Sequence, residues 1–261
     1  MDLFLKNKVA IITGSSKGMG LAAAEALLDE GAKVMMVARN SELLSQLENK
    51  FLKLKKDIIV FPGDVGDVSL AEKVVKKTVK EWGRIDILIN NASGPPMGGF
   101  LEFDDSDWLF AIQINLMSCI RFSREVSPYM KKNKWGRIIS ITSTLAKEPT
   151  SSMVISSTIR AGVSAFTKSI SSELAPFNIS VNAVCPGGVL TDRLIELLKV
   201  KSEKDNISYK KLLEQSQLSI PAKRFALPNE IADVILFLVS ERGSYINGVS
   251  LVVDGGLVKS Y

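Results

Sequence analysis

The stretch Val9-Ala10-Ile11-Ile12-Thr13-Gly14-Ser15-Ser16-Lys17-Gly18-Met19-Gly20 limits what this chain can fold into more than any other. A short, mostly apolar run without alternation meets a glycine-rich turn, and Leu21-Ala22-Ala23-Ala24-Glu25-Ala26-Leu27-Leu28 reads as helix. An uninterrupted apolar run is what a parallel strand covered on both faces requires. Glycine reaches positive φ and lets a ligand approach the backbone closely. The helix beyond offers free N–H groups and the positive end of its dipole, a ready place for a phosphate. Alone, such a turn reads equally well as a plain tight turn. Its surroundings decide.

Strand-like and helix-like segments alternate along the whole chain, the order that builds a parallel sheet with helices on both faces. Gly31 offers a C-cap to the first helix, and the run at 33–38 reads as a second strand. Further strands are expected at 58–61, 85–90, 137–143, 179–184 and 249–253. Leu43, Leu44, Leu47, Phe51 and Leu54 fall at helical spacing, as do Val68, Ala71, Val75, Val79 and Trp82, and mark core-facing stripes. The pattern predicts a longer helix from about 106 to 130 and another carrying Ile155, Ile159, Val163, Phe166, Ile170 and Leu174. Pro228 opens a last helix. Residues 192–220 are polar, lysine-rich and weakly patterned, and read as a mobile helical excursion. No repeat or linker divides the chain. Residues 1–261 are expected to form one α/β domain, Rossmann-like and doubly wound, with about seven parallel strands and an excursion at about 190–220. Right-handed crossovers then place the ligand crevice at the carboxyl ends of the strands.

Composition removes several function classes. With 46% hydrophobic and 23% charged residues, neither disorder nor a coiled coil is expected. No apolar run approaches the roughly 18 residues of a membrane span. Met1-Asp2-Leu3-Phe4-Leu5-Lys6-Asn7-Lys8 lacks a signal-peptide pattern, so a cytoplasmic protein away from membranes is expected. The net charge of +5 is spread out, and its densest patches, Lys53-Leu54-Lys55-Lys56 and Lys131-Lys132-Asn133-Lys134, fall at helix ends that suit cations. Neither patch has the aromatic platform of a nucleic-acid surface. Cys119 and Cys185 read as small buried apolar residues. Without histidine or a cysteine cluster, no metal site is expected and a histidine general base is excluded.

Five separated motifs make the chain resemble the short-chain dehydrogenase/reductase family over essentially its whole length. They are Thr13-Gly14-Ser15-Ser16-Lys17-Gly18-Met19-Gly20, Gly63-Asp64-Val65, Asn90-Asn91-Ala92-Ser93, Ser143 at its strand end, and Pro186-Gly187-Gly188-Val189-Leu190-Thr191. Within that family it is most similar to reductases of 3-oxoacyl carrier-protein substrates. The resemblance implies a nicotinamide cofactor. Gly14, Gly18 and Gly20, with Ser16, Lys17 and Met19 in the same turn, would line its pyrophosphate, and Asp64 with Val65 would flank the adenine. Asn91 and Ala92, followed by Ser93, would sit near the adenine-side ribose, and Gly187 with Thr191 would hold the nicotinamide end. Charge then argues for one form of the cofactor. Ala38 ends the second strand, where an acidic residue would accept from a free ribose hydroxyl, and Arg39 follows it. Arg39 and Lys17, two cations with no local carboxylate, favour a 2′-phosphate, hence NADP(H) over NAD(H).

The pattern breaks at the acid. In the family a tyrosine exchanges a proton with the substrate oxygen, and a lysine four residues on lowers its pKa. Ser143 matches the family's serine and Asn115 its relay asparagine. The segment Ala161-Gly162-Val163-Ser164-Ala165-Phe166-Thr167-Lys168-Ser169 fixes the register and puts Ser156 at the tyrosine position and Arg160 at the lysine position. No one-residue slip recovers a tyrosine, the nearest being Tyr129 and Tyr209. A phenol of pKa about 10 can be tuned toward neutrality, whereas an aliphatic hydroxyl is a far weaker acid. Arg160 keeps its proton, although its fork could bind a ribose hydroxyl or a substrate carboxylate. Ser156 and Arg160 lie four apart, on one helix face.

Three readings stay open. In the first, an NADP(H)-dependent oxidoreductase acts on a small-molecule carbonyl or alcohol. Ser143, Ser156 or a water passes the proton, and Arg160 stabilises the alkoxide. In the second, Tyr209 supplies the acid. In the third, a cofactor-binding protein with little hydride transfer serves as a redox sensor or partner subunit. Ser93–Met97, Leu145–Pro149 and Leu190–Leu218 are the candidate pocket segments. Met97, Leu145, Leu190, Leu194 and Leu197 either form an apolar wall or pack on one another. The helices near 106–130 and 152–175 carry apolar residues on more than one side. The resemblance implies a homotetramer or homodimer built partly on them.

Overall fold

The computed structural model describes residues 2–260. β1 (Val9–Thr13), α1 (Gly18–Asp29), β2 (Lys33–Ala38), α2 (Ser41–Lys53), β3 (Ile58–Pro62) and α3 (Leu70–Trp82) form the first half. The second half runs through β4 (Ile87–Asn90), α4 (Asp105–Ala111), α5 (Ser118–Asn133), β5 (Gly136–Ile141), α6 (Val154–Leu174) and β6 (Ile179–Pro186). α7 (Asp192–Lys204), α8 (Tyr209–Ser219), α9 (Pro228–Val239) and β7 (Ser250–Val253) complete it. The seven strands are parallel, in the order β3-β2-β1-β4-β5-β6-β7. Strand order reverses between β1 and β4, so a crevice opens there at the carboxyl ends, as doubly wound sheets require.

Burial on both faces explains the apolar runs. Ala10 and Ile12 of β1 face a layer with Leu27 of α1, Leu44 of α2 and Ile235 of α9. Ile11 faces the other layer, with Val74 of α3 and Phe122 of α5. A strand with core on both sides has no room for polar alternation.

The structure departs from the periodicity in three places. The expected single helix near 106–130 is two α-helices, α4 and α5, joined by a π-helical segment, Ile112–Met117. Such a segment fits one extra residue into a turn without ending the helix, so a stripe of apolar residues conceals it. β5 stops at Ile141, and Ser143 instead caps the short 3-10 turn Thr144–Ala146. Residues 192–219 form α7 and α8, which bury Leu198 and Leu212 together with Ile220 and Phe225. The pattern is weak because this pair covers its own small cluster instead of the sheet.

Candidate active site

The turn between β1 and α1 is shaped by glycine and clamped by Asn91. Gly14 and Gly18 adopt φ of +57° and +58°, the left-handed region. A Cβ on Gly14 would stand 2.7 Å from the Asn91 carbonyl oxygen, and one on Gly20 would stand 2.4 Å from the Gly14 carbonyl oxygen. Asn91 Nδ2 donates to that Gly14 carbonyl at 2.9 Å, and Asn91 N donates to Thr13 Oγ1 at 2.9 Å. The ends of β1 and β4, flanking the topological switch, are thereby locked together. Lys17, the N-cap of α1, is extended and no side chain caps the helix. The first-turn amides therefore face the crevice without a side-chain partner, beside a backbone that no Cβ obstructs, and this cradle fits a pyrophosphate. Thr191 forms the far wall, its Cγ2 3.4 Å from where a Cβ on Gly18 would stand. Ser16 and Met19 are half-buried in the turn, with Met19 packed on the core.

The charge expectation needs correction. Arg39 Nη1 lies 3.9 Å from Asp64 Oδ2, and Lys17 Nζ lies 4.0 Å from Asp192 Oδ2, so each cation does have a carboxylate neighbour. Tertiary folding brings these acids in from the loop after β3 and from the start of α7, which adjacency in the sequence did not reveal. All four side chains are substantially exposed, and long contacts between exposed groups hold little energy. Both cations therefore stay available to an anion. Asp64 Oδ1 also accepts from Gly66 N at 2.9 Å, and Val65 packs against the core. Ala92 and Ser93 continue from Asn91 into the loop after β4, and Gly187 follows β6 across the crevice.

Ser143, Ser156, Arg160 and Asn115 are carried by the elements around the ends of β4 and β5. Ser143 Oγ accepts from Leu145 N at 3.2 Å, leaving its proton free to donate. Ser156 and Arg160 are buried one turn apart on α6. Arg160 commits one arm of its fork: Nη1 donates to the Ile141 carbonyl at 2.8 Å, and Nε is buried without a partner. Burial pushes its guanidinium pKa down. The thiols of Cys119 and Cys185 are themselves buried and pushed up, hence neutral. Asn115 sits in the π segment; its Nδ2 donates to the Ala111 carbonyl at 3.3 Å and its buried Oδ1 has no partner. Its own carbonyl accepts from Cys119 Sγ at 3.1 Å. Tyr209 packs with the α7–α8 cluster, not beside Ser143, and Leu194 packs there too.

Sequence reasoning missed Arg193. From α7 its Nη2 donates to the Pro95 carbonyl at 2.8 Å and the Gly94 carbonyl at 3.4 Å, bridging the crevice to the loop after β4. No local pattern signals a contact across so long a separation. Among the described residues no group of three or more His, Cys, Asp or Glu could hold a metal, and no helix is long and apolar enough to cross a membrane.

A family model described as short chain dehydrogenase matches residues 8–201. The chain is 33% identical over 258 residues to the NADPH-dependent reductase BacG of Bacillus subtilis, covering 98% of this chain and 100% of that protein. It is 34% identical to the 3-oxoacyl-[acyl-carrier-protein] reductase FabG of Thermotoga maritima, covering 97% of this chain and 99% of the relative. The crystal structure of L-sorbose reductase from Gluconobacter frateurii, complexed with NADPH and L-sorbose, superimposes with a TM-score of 0.95 at 33% identity, covering all of both chains.

Proposed function

Because the chain belongs to the short-chain dehydrogenase family, we propose that it is an NADP(H)-dependent oxidoreductase acting on a carbonyl or alcohol substrate. The observation that carries this reading is the glycine cradle at the uncapped start of α1, clamped by Asn91. NADP(H), when bound, supplies the hydride and takes it back in the reverse direction. The relatives support the cofactor, since they are named as NADPH-dependent reductases or were crystallised with NADPH. Arg39 and Lys17 would hold its 2′-phosphate, and the α1 amides its pyrophosphate. Asp64 and Val65 would flank the adenine, Asn91, Ala92 and Ser93 the ribose, and Gly187 and Thr191 the nicotinamide end.

The chain's own chemistry follows from what is free. Ser143 Oγ, whose lone pair is engaged by Leu145 N, donates a hydrogen bond to the substrate oxygen, keeps its own proton and orients the substrate. Ser156, buried on α6, keeps that oxygen's surroundings small and polar. A water in place of the family's phenol passes the proton, a slower route than a tuned general acid. Arg160 acts from beneath, fixing the end of β5 and supplying a positive field to the oxygen. Ketones, including 3-oxoacyl thioesters, are the substrates to try first. The competing reading is a cofactor-binding sensor or partner subunit with little turnover, favoured by the missing phenol at Ser156.

Two measurements test the reading. Titrating the protein with NADPH and with NADH by fluorescence is expected to show tighter NADPH binding; equal affinities remove the role of Arg39 and Lys17. Following NADPH absorbance with a ketone panel, in wild type and Ser143→Ala, is expected to show turnover that the variant loses. Tight binding with no turnover on any substrate selects the sensor.

The site and lid belong to one cytoplasmic domain over residues 1–261, assembled as a homotetramer or homodimer. The assembly would use α5 and α6, whose shared groove is lined by Ile120, Phe166 and Ile170 together with Arg124, Lys131 and Glu173. Elution as a monomer in size-exclusion chromatography would refute the assembly.

A further inference from the structure

Beyond β7 the chain does not leave the sheet but returns across its carboxyl edge. Gly255 and Gly256, at φ +66° and +85°, turn it, and the Gly255 carbonyl accepts from Ala222 N at 3.1 Å. Asp254 closes the turn, its Oδ1 accepting from Gly256 N at 2.9 Å and its Oδ2 from Val258 N at 2.7 Å. The turn is crowded: a Cβ on Gly255 would stand 2.9 Å from Ala222 Cβ, and one on Gly187 would stand 2.8 Å from Asp254 Cβ. Leu257 then packs into the cluster of Leu198, Leu212, Ile220 and Phe225 that joins α7 to α8. Finally Lys259 N and Ser260 N both donate to a single oxygen, Glu148 Oε1, at 2.6 Å and 2.7 Å. Glu148 stands just beyond the turn that Ser143 caps, and its own N donates to the Thr144 carbonyl at 2.9 Å.

We propose that residues 254–260 form a strap tying the α7–α8 lid to the Ser143 loop, with Glu148 as the positioning residue that fastens it. A carboxylate accepting two main-chain N–H groups makes charge-assisted bonds, stronger than neutral ones. Those donors hold the Glu148 carboxyl below its usual range, with Lys259 the charged group beside it. Along this segment two tethers act in series. Leu257 grips the lid, and Glu148 grips the loop. Lid opening therefore loosens the support of Ser143, so entry to the crevice and order at the substrate oxygen change together. The mechanical coupling stands on the contacts alone. Its effect on turnover rests on the reductase reading above.

Hydrogen exchange followed by mass spectrometry on the full chain tests the strap without requiring turnover. Wild type is expected to protect the amides of Lys259 and Ser260. Glu148→Ala is expected to speed exchange across 257–260 about tenfold and to carry Thr144–Lys147 and α7–α8 with it. Glu148→Gln, which keeps an acceptor oxygen without the charge, should fall between. With a ketone that turns over, Glu148→Ala is expected to raise KM about fivefold and to lower kcat with it, since lid and Ser143 loop loosen together. An unprotected tail in wild type overturns the strap, and so does a freed tail in Glu148→Ala with the lid and Ser143 loop exchanging at wild-type rates. A chain that reduces no ketone at all would sink the reductase reading while the exchange result still decides the strap.

Discussion

Arg160 Nη1 donates to the carbonyl of Ile141 at 2.8 Å, fastening the middle of α6 to the last residue of β5. The guanidinium is thus a strut beneath Ser143, which stands two residues beyond Ile141 along the chain. A charged donor to a buried carbonyl contributes about 1.5–3 kcal/mol, while desolvation of the guanidinium opposes it. Arg160→Ala is expected to destabilise the fold by about 2 kcal/mol in urea unfolding, the lost bond and the cavity outweighing the relief of burial. Arg160→Met keeps the stem and should cost less. Equal losses in both variants would show that packing of the stem contributes nothing.

Restoring the acid should restore the chemistry. Ser156→Tyr with Arg160→Lys is expected to raise kcat for ketone reduction about a hundredfold, the scale of a positioned general acid. An increase seen with Ser156→Tyr alone would mean that Arg160 can itself tune a phenol. No increase in the double variant, with the fold intact by circular dichroism, would move the limiting step away from proton transfer.

The cradle tolerates no side chain. Gly20→Ala places a Cβ 2.4 Å from the Gly14 carbonyl oxygen and should weaken NADPH binding more than tenfold, on the order of 1.4 kcal/mol or more. Gly14→Ala adds strain at φ +57° and should also lower the unfolding midpoint. Isothermal titration separates the two effects. Unchanged affinity in Gly20→Ala would dissociate the turn from cofactor binding.

If Arg39 and Lys17 select the cofactor by charge, the selection is measurable. Arg39→Ala is expected to weaken NADPH about fivefold, about 1 kcal/mol for an exposed cation facing a phosphate, and to leave NADH nearly unchanged. The NADPH preference should also shrink as salt rises. A parallel loss for both cofactors would place Arg39 on a part that they share.

Stability on the acid side should carry the signature of Glu230. Arg224 forks onto it with two contacts of 2.7 Å, and Leu227 N donates to it at 2.8 Å at the start of α9. Its carboxyl is held at about 2, against an ordinary 4.5. A depressed folded pKa contributes stability above the unfolded value and loses it as pH falls through the folded one, here between about 4.5 and 2. Glu230→Gln is expected to melt slightly below wild type at pH 7, the pair being exposed, with the gap closing toward pH 2. A gap independent of pH would assign the loss to something other than charge.

The sheet was legible because burial on both faces leaves continuous apolar runs, and because Gly14, Gly18 and Gly20 punctuate the first of them. The five motifs all stand at or just beyond strand ends, so parallel topology gathers them on one edge. What escaped is contact at long separation. Asp192 beside Lys17, Arg193 on the Pro95 carbonyl and Glu148 beneath the tail carry no local periodicity. Arg160 was legible as a cation on the right face of α6, but its commitment to Ile141 depends on how α6 packs against the sheet. The π segment was hidden for a different reason: its apolar residues keep a helical stripe whether or not a turn is widened.

That segment makes helical phase a coordinate of the site. Ile112–Met117 carries the buried Asn115 and packs Ile112 and Leu116 on Ile155 and Ile159 of α6, whereas α5 beyond it turns Phe122, Val126 and Met130 into the sheet. Deleting one residue there would leave a smoother helix and every named side chain still present. The two halves would nonetheless rotate out of step, and either Asn115 or the core face of α5 would point the wrong way. Alignments that score only residue identity would record such a change as a harmless gap, although it rewires the site as thoroughly as a substitution.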